Sequence, residues 1–453
     1  MYKRIISKIE SYFSPDMWKL IALAVPIIGS SILHMAYNFT DMIWVGKIGV
    51  GAVASVGTAG FFINLGWALA SIIVVGVSVK VSHSVGAKNT KAAGKYATAG
   101  LWGLVGLTLI FTGVLLSMPN QLIEFFKLND QKVVDDAVDY LVITAAGGFL
   151  SFATILFTGI FNAYGFTKLS FRASLFGTLT NIILDPILIF GFALGIKGAA
   201  YATIIARIVG LLPLLYYTVI QHRIHFTGFW PRINRLTVIM RIGSPTSFQR
   251  ISFTIIYIIL ARIIAEWGPE AIAVQKIGVQ IEAITYMLVY GVLQAVSITV
   301  GQKYGAKEYS AISGVYKRGL KLAFGIGLIT SLLFFFTPEL LFSIFVDDPD
   351  TISMGSFYLK ILAISQLFMC LEMMTSGAFH GLGKTQFPAM VSVSITSLRI
   401  PIAYYLGFYT VLELHGVWWS ISITSILKGI ILFALFYRVM LQLNKNIKPV
   451  KVF

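Results

Sequence analysis

Hydrophobic runs make up most of this chain, and short polar segments separate them at nearly regular intervals. Each run is close to or above the ~20 residues that a helix needs to cross a bilayer. Because lipid offers no hydrogen-bond partner to the backbone, runs of this kind cross a membrane as α-helices. The pattern predicts twelve spans, at residues 17–46, 52–80, 96–118, 134–164, 169–192, 197–220, 238–265, 270–300, 317–343, 352–380, 385–409 and 415–440.

The second half of the chain repeats the first at an almost constant offset. The segment VGAKNTKA from Val85 matches YGAKEYSA from Tyr304, at an offset of 219. The segment FNAYGFTKLS from Phe161 matches FHGLGKTQFP from Phe379, at an offset of 218. Six spans followed by six of the same topology form a parallel repeat, with the substrate pathway between its halves. We therefore predict an all-α membrane protein with twelve transmembrane helices in two pseudo-symmetric six-helix lobes.

These patterns divide the chain into five segments. The basic and apolar positions of residues 1–16 predict an N-terminal interfacial helix. The N-lobe, spans 1 to 6, covers 17–221, and the C-lobe, spans 7 to 12, covers 238–443. A cytoplasmic linker at 222–237 joins the lobes, and a basic cytoplasmic tail follows at 444–453.

The composition agrees with a polytopic membrane protein, since 57% of the residues are hydrophobic and 12% are charged, against about 25% charged residues in soluble domains. The net charge of +16 is explained by where the basic residues lie relative to the membrane. Lys and Arg collect on one side of the predicted membrane, and the opposite loops hold only Lys47, Lys127, Lys132 and Lys197. By the positive-inside rule both termini are cytoplasmic. We expect a multi-pass protein of the plasma membrane or cell inner membrane that contacts lipid and binds no nucleic acid.

Few acidic side chains lie well inside the predicted spans. Of the nineteen Asp and Glu residues, four do so: Asp41, Asp185, Glu282 and Glu372. Ionisable residues within a membrane are costly, and they commonly mark an ion or substrate pathway. These four positions are therefore the first candidates for function.

The run TNIILDPILIF, from Thr180 to Phe190, carries two of the polar side chains of span 5. Asn181 and Asp185 are four residues apart, so on a helix they lie on one face. Pro186 follows, and its missing N–H frees a backbone carbonyl beside them. This combination indicates a cluster of oxygen atoms inside the membrane.

Span 1 adds a polar stripe at helical spacing, formed by His34, Tyr37, Asn38 and Asp41. Thr203 on span 6 offers a further hydroxyl. Oxygen ligands of these kinds suit a hard cation such as Na⁺. Two carboxylates in one desolvated pocket cannot both ionise easily, so a proton is the alternative occupant. The sequence leaves both ions open, and it also leaves open a salt bridge from these aspartates to Arg207.

The C-lobe has different chemistry at the repeated positions. Glu282 and Glu372 are each the only charged residue in an apolar stretch of sequence. Each has two alternative roles: it forms a hydrogen bond between helices, or it lines a cavity and contacts the substrate. Arg399 occupies the position that repeats Asn181, so a second cation site is not expected there. Arg399 has three alternative partners, namely backbone carbonyls, Glu372 or an anionic substrate.

The quoted segments together resemble a known family of transporters. YNFTDMIWVGKIG in span 1, FNAYGFTK after span 4, TNIILDP in span 5 and GAAYAT in span 6 are similar to the multidrug and toxic compound extrusion (MATE) family. The resemblance covers essentially the whole chain and is strongest to the DinF-like branch, which implies a MATE/MOP-type fold. The resemblance implies a cation site at Asp41, Asn181, Asp185 and Thr203. If Na⁺ is the coupling ion, these four residues would bind it. Tyr37 and Asn162 are then expected to line the same pocket.

The NorM-like branch of that family instead places acids on spans 7 and 10. Span 7 has no acid in SPTSFQRISFTIIY, and Glu372 lies about one turn from the span 10 position. The resemblance therefore favours coupling through the N-lobe.

We therefore expect a monomeric antiporter, not an enzyme, that exports amphipathic, cationic organic compounds by alternating access. It would exchange these small molecules for H⁺ or Na⁺ and need no cofactor beyond this coupling ion. The expected cavity residues are Tyr37, Asn38, His34, Asn162, Glu372, Glu282 and Arg399.

Two other functions compete with this expectation. A lipid-linked oligosaccharide flippase of the same superfamily would need cations for an anionic headgroup, and the candidates are Arg207, Arg250, Arg262 and Arg399. An intramembrane aspartyl protease would need aspartate motifs that neither DMIW nor DPIL supplies.

Overall fold

The computed structural model describes residues 14–228, 230 and 232–444, and this part of the chain is helical almost throughout. The first thirteen residues of the predicted interfacial helix lie outside it. The predicted tail beyond residue 444 and two positions of the linker, 229 and 231, also lie outside the described residues.

The helices of the first half occupy the positions of spans 1 to 6. They are α1 Pro15–Ile48, α2 Val50–Gly86, α3 Thr90–Ser117, α4 Pro119–Glu124, α5 Gln131–Ala146, α6 Gly148–Ala163, α7 Thr167–Pro186 and α8 Gly195–Val219. A π-helical turn, Ile187–Gly191, continues α7.

The helices of the second half follow the same order. They are α9 Ile233–Ile264, α10 Pro269–Gly305, α11 Tyr309–Phe336, α12 Pro338–Ser343, α13 Pro349–Gly381, α14 Gln386–Ser397, α15 Arg399–Phe408 and α16 Glu413–Asn444. A 3₁₀ turn, Ala265–Trp267, continues α9.

The predicted number of spans is confirmed. Within the described residues, eleven helices are long and apolar enough to cross a membrane, with α14 and α15 counted as one. The helices α5 and α6 bend by 48° at their junction, and as one span they make the twelfth. The starts of two spans differ most from the prediction: α3 begins at Thr90, six residues before the predicted start, and α11 begins at Tyr309, eight residues before it. For α3 the cause is local, because the Asn89 side chain caps the helix by accepting a hydrogen bond from the Ala92 N–H at 2.9 Å.

The bounds of the helices repeat as the sequence does. The helices α2 and α10 have 37 residues each, and α3 and α11 have 28 each. The starts of both pairs are related by an offset of 219, and the short helices α4 and α12 keep it. The starts of α7 and α14 are also 219 apart, whereas the starts of α5 and α13, and those of α8 and α16, are 218 apart. The single-residue difference therefore falls in the loops 125–130 and 344–348.

The contacts group the chain into two compact units. The N-unit is Gly29–Ser247, and the C-unit joins the described residues before Gly29, 14–28, to the described chain from Phe248 to residue 444. Both divisions fall inside helices, α1 and α9, two residues after Pro26 and Pro245. The predicted linker 222–237 lies within the N-unit.

Each unit has its own apolar core, and each includes half of a divided helix. In the C-unit, Leu20 and Ala24 of α1 join a buried cluster with Val289 and Val296 of α10. In the N-unit the first half of α9 packs closely on α2, where a Cβ added to Gly243 would lie 1.7 Å from the Ile72 carbonyl oxygen. Small residues allow such approaches where lipid provides no hydrophobic force between helices.

Candidate cation site and the buried charges of the C-unit

The helix α7 presents Asn181 and Asp185 on one face, and both side chains are fully buried. The Asn181 Nδ2 donates a hydrogen bond to Asp185 Oδ1 at 3.0 Å. Asp185 Oδ2 and Asn181 Oδ1 are buried without a hydrogen-bond partner. Pro186 lacks an N–H, and the helix changes to a π-helical turn directly after it. One end of α7 thus carries two unpartnered oxygen atoms.

The helix α8 begins against this turn. A Cβ on Gly198 would lie 2.7 Å from the Leu188 carbonyl carbon and oxygen, so only glycine permits this approach. Further along α8, Thr203 meets Tyr37 of α1, and their hydroxyl oxygens are 2.9 Å apart. The hydrogen bond joins residues 166 positions apart in sequence.

Asp41 lies one turn beyond Tyr37 on α1. Its side chain is half-buried, and its Oδ1 has no hydrogen-bond partner. The carboxylate charges of Asp41 and Asp185 lie close enough to interact. Among the residues that the structure describes, no Lys or Arg forms an ion pair with either aspartate, so the alternative of a salt bridge to Arg207 is not found.

The arrangement suits a small cation. A buried carboxylate without a partner is unfavourable, and binding of Na⁺ or a proton would remove this cost. The free oxygens of Asp41, Asn181 and Asp185 are hard ligands, which favour Na⁺ over softer metals. Within the described ranges, no group of three His, Cys, Asp or Glu residues is present, as a tightly held transition metal would require.

The remaining cavity residues predicted for the N-lobe have different surroundings. The His34 ring is parallel to the Tyr37 ring, with centroids 6.0 Å apart, and the Asn38 side chain is exposed. Asn162 is next to the last residue of α6, close to the start of α7. Asp185 lies eighteen residues along α7 from Thr167, about 27 Å of helix. Asn162 therefore does not line the pocket of Asp185, which corrects the expectation from the resemblance.

Three residues that the sequence did not mark as ligands surround the site. The Arg207 guanidinium carbon lies 5.2 Å from the ring centroid of Tyr37 and 5.4 Å from that of Trp67. Tyr140 of α5 is buried within electrostatic reach of Asp41 and Asp185. Trp67 and Tyr140 occupy ordinary apolar or interfacial sequence, and no local signal distinguishes them.

In the C-unit, Glu372 is not alone as the sequence suggested. The Lys428 Nζ on α16 lies 3.0 Å from Glu372 Oε2, and both side chains are at least 90% buried. The Ser392 hydroxyl donates a hydrogen bond to Glu372 Oε1 at 2.8 Å. Both carboxylate oxygens are therefore occupied by protein groups. Lys428 lies in a long apolar run, and no sequence motif marks it as a partner of Glu372.

Glu282 and Arg399 also have protein partners. The Gln366 Nε2 donates a hydrogen bond to Glu282 Oε1 at 3.3 Å. The Arg399 Nε donates to the Thr424 hydroxyl at 3.0 Å, not to Glu372, and its charge interacts with that of Glu282. Glu282, Glu372, Arg399 and Lys428 thus form a cluster of two acidic and two basic side chains whose formal charges cancel.

The repeat places apolar residues where the N-unit has its ligands. The positions that repeat Tyr37, Asp41, Asp185 and Thr203 are Ile256, Leu260, Ala403 and Ile421, and all four are buried. Leu260, Ala403 and Ile421 belong to one hydrophobic cluster. A core therefore fills the place of the cation site in the C-unit.

The sequence model of one family matches both halves of the chain. It is the MatE family, matched at residues 26–187 and again at 245–405. The starts of the two matches are related by an offset of 219 and their ends by an offset of 218, as in the internal repeat. The chain belongs to the MatE family. The predicted MATE resemblance is confirmed, whereas assignment to the DinF-like branch stays a prediction.

Curated relatives match over nearly their whole length. One is "Probable multidrug resistance protein NorM" of Thermotoga maritima, 29% identical over 92% of this chain and 91% of that protein. Another is "Probable multidrug resistance protein YoeA" of Bacillus subtilis, 28% identical over 89% of this chain and 90% of that protein.

Solved structures of MATE transporters have the same fold. "Crystal structure of MATE in the bent conformation" matches with a TM-score of 0.90 and 25% identity, covering 95% of this chain and 97% of that one. "Outward-facing conformation of a multidrug resistance MATE family transporter of the MOP superfamily" matches with a TM-score of 0.88 and 25% identity, covering 96% and 98%. The MatE chain is a multi-pass membrane transporter of the multidrug efflux family, and not an enzyme, as predicted.

Proposed function

We propose that this MatE protein is an antiporter that exports amphipathic, cationic organic compounds in exchange for H⁺ or Na⁺. The observation that carries the proposal is the pair Asp41 and Asp185, two interacting carboxylates with unpartnered oxygens and, among the described residues, no basic ion-pair partner. The names of the relatives, which describe multidrug resistance proteins, support the class of substrate. No cofactor other than the coupling ion is proposed.

The membrane potential is one source of driving force for export. A cation that moves inward releases about 2.3 kcal/mol per charge for each 100 mV of membrane potential. This corresponds to a concentration ratio of about 50 for a substrate without net charge. A monovalent cationic substrate that leaves in exchange for one coupling ion moves no net charge, so its export is driven by the concentration gradient of that ion or by the entry of a second ion in each cycle.

Mutual exclusion is the proposed mechanism of exchange. A cationic substrate and the coupling ion both need the negative charge of Asp41 and Asp185. An ion that binds there also recruits the Thr203 hydroxyl, which is bonded to Tyr37, so the relative positions of α1, α7 and α8 depend on occupancy. The ion can drive alternating access because it binds one conformation more tightly than the other.

The protein is proposed to act as a monomer in the plasma membrane or cell inner membrane, with both termini in the cytoplasm. The flippase alternative has less support, because two of the four cations that it would need are already engaged within the protein. Arg262 pairs with Glu266 at 2.9 Å and Arg399 bonds to Thr424, so these cations already have protein partners.

Transport into proteoliposomes with separately imposed H⁺ and Na⁺ gradients tests the proposal. Uptake of a fluorescent organic cation should follow one of the gradients in the wild type and be lost in Asp41→Asn and Asp185→Asn. Asp139→Asn is the matched control, because Asp139 is a partly exposed partner of Lys197 at 2.8 Å. Undiminished gradient-driven transport in both site variants would refute the proposal.

A further inference from the structure

We propose that Arg207, with His34, Tyr37 and Trp67, forms an anion subsite that binds the carboxylate of an aromatic substrate. The inference rests on the proposed transport function and deepens it by naming a second group that the substrate carries. The chain would then accept aromatic carboxylates, including those that also bear an amine.

Arg207 has no charged partner among the described residues. Its Nε is buried without a hydrogen-bond acceptor, and its guanidinium contacts the faces of Tyr37 and Trp67. Contacts with aromatic faces compensate a buried guanidinium for its lost hydration less than a bidentate carboxylate partner does. The guanidinium therefore keeps donors available for an anion.

The C-unit provides a contrast within the same molecule. Lys428 is paired with Glu372, and Arg399 donates to Thr424. In the N-unit, the two aspartates and Arg207 remain unpaired with one another, although Tyr37 lies beside both groups through its hydroxyl and its ring. A site with a negative end and a separate positive end is complementary to a ligand that carries both a positive and a negative group. If the aspartates and Arg207 were paired with each other, neither charge would be available to such a ligand.

Aromatic rings lie around the Arg207 guanidinium. His34 is exposed, its ring is parallel to Tyr37 with an interplanar angle of 12°, and its centroid lies 5.9 Å from that of Trp67. Such offset arrangements leave ring faces and edges that can pack against a flat ligand. Arg207 is specific for a planar anion because its fork matches carboxylate geometry.

The anion subsite is also connected to the cation site. Arg207 follows Thr203 by four residues on α8, so their side chains lie on one face. Tyr37 forms a hydrogen bond with Thr203 through its hydroxyl, and the Arg207 guanidinium lies over its ring. A cation that recruits the Thr203 hydroxyl would shift Tyr37, and with it the surface on which the substrate carboxylate is held.

Two naphthalene probes of one size, 1-naphthoate and the neutral 1-naphthamide, test the subsite by equilibrium binding to the purified protein in lipid nanodiscs. The wild type should bind naphthoate at least about tenfold more tightly than naphthamide, as expected for a charge-assisted hydrogen bond. In Arg207→Gln the ratio of the two affinities should fall to about one. Arg207→Lys, which keeps the charge without the fork, should give an intermediate ratio.

Arg172→Gln is the control for removal of a positive charge, because Arg172 is exposed on α7. It should keep the wild-type ratio. An unchanged ratio in Arg207→Gln, or an equal loss in Arg172→Gln, would overturn the proposal. Because the ratio compares two ligands in one variant, partial misfolding does not mimic the effect. The assay uses no ion gradient, so a failure of cation coupling would appear in the transport assay and leave this measurement intact.

Discussion

Tyr37 and Thr203 join α1 to α8 through a hydrogen bond of 2.9 Å between their hydroxyl groups. The hydrogen bond lies beside the two intramembrane aspartates of the N-unit. On the Tyr37 ring, the guanidinium carbon of Arg207 lies 5.2 Å from the ring centroid. One side chain thus connects the proposed cation site with the proposed anion subsite.

Tyr37→Phe removes this hydroxyl and keeps the ring. Since a hydrogen bond of this kind contributes about 0.5–1.5 kcal/mol, apparent affinity for the coupling cation should fall by about two- to tenfold. Titration of transport with the coupling ion measures the change. Tyr201→Phe, at an exposed position on the same helix as Thr203, is the control and should leave the affinity unchanged. Equal affinities in Tyr37→Phe and the wild type would show that the bond has no part in cation binding.

Asn181→Arg gives the N-unit the residue that the C-unit has at the repeated position. The new guanidinium would lie beside Asp185, pair with it and replace the coupling ion. Gradient-driven transport should be lost, although the protein still folds. Asn181→Gln, which keeps an amide, should retain part of the activity.

The reciprocal change tests the same relationship. Arg399→Asn should not create a cation site, because Leu260, Ala403 and Ile421 supply no ligands around it. The appearance of a second, cation-dependent step in Arg399→Asn would contradict the assignment of the ion to the N-unit alone.

Lys428→Met should destabilise the protein by about 3–5 kcal/mol, because it leaves Glu372 buried and unpaired. The double variant Glu372→Gln with Lys428→Met should recover most of this loss, since it removes both charges. Thermal unfolding in detergent measures the stabilities, and the four proteins form a double-mutant cycle. If the two single changes simply add, the pair makes no specific contribution.

Gly243→Ala should weaken the packing of α9 on α2, because its Cβ would lie 1.7 Å from the Ile72 carbonyl oxygen. Overpacking of this kind costs about 1–3 kcal/mol. Gly60→Ala is the matched control on α2, where an added Cβ meets no atom within 4 Å. Thermal unfolding midpoints should fall for the first variant and not for the second. A wild-type midpoint for Gly243→Ala would mean that the helices separate at no cost.

The sequence by itself determined the features that depend on neighbouring residues or on long apolar runs. It predicted twelve spans and the repeat, because hydrophobic length and short matching segments are local properties. It also placed Asn181 and Asp185 together, since residues four apart on a helix must share a face. The loss of ligands at the repeated positions could likewise be seen in Arg399 and Ala403.

Only the tertiary structure decided which distant side chains meet. Tyr37 bonds a residue 166 positions away, Lys428 pairs with Glu372, and Arg207 contacts aromatic rings rather than an aspartate. It also separated Asn162 from Asp185 by most of the length of α7. The physical reason is that lipid and protein interior are equally apolar, so hydropathy shows that a helix crosses the membrane without showing which face it turns to its neighbours.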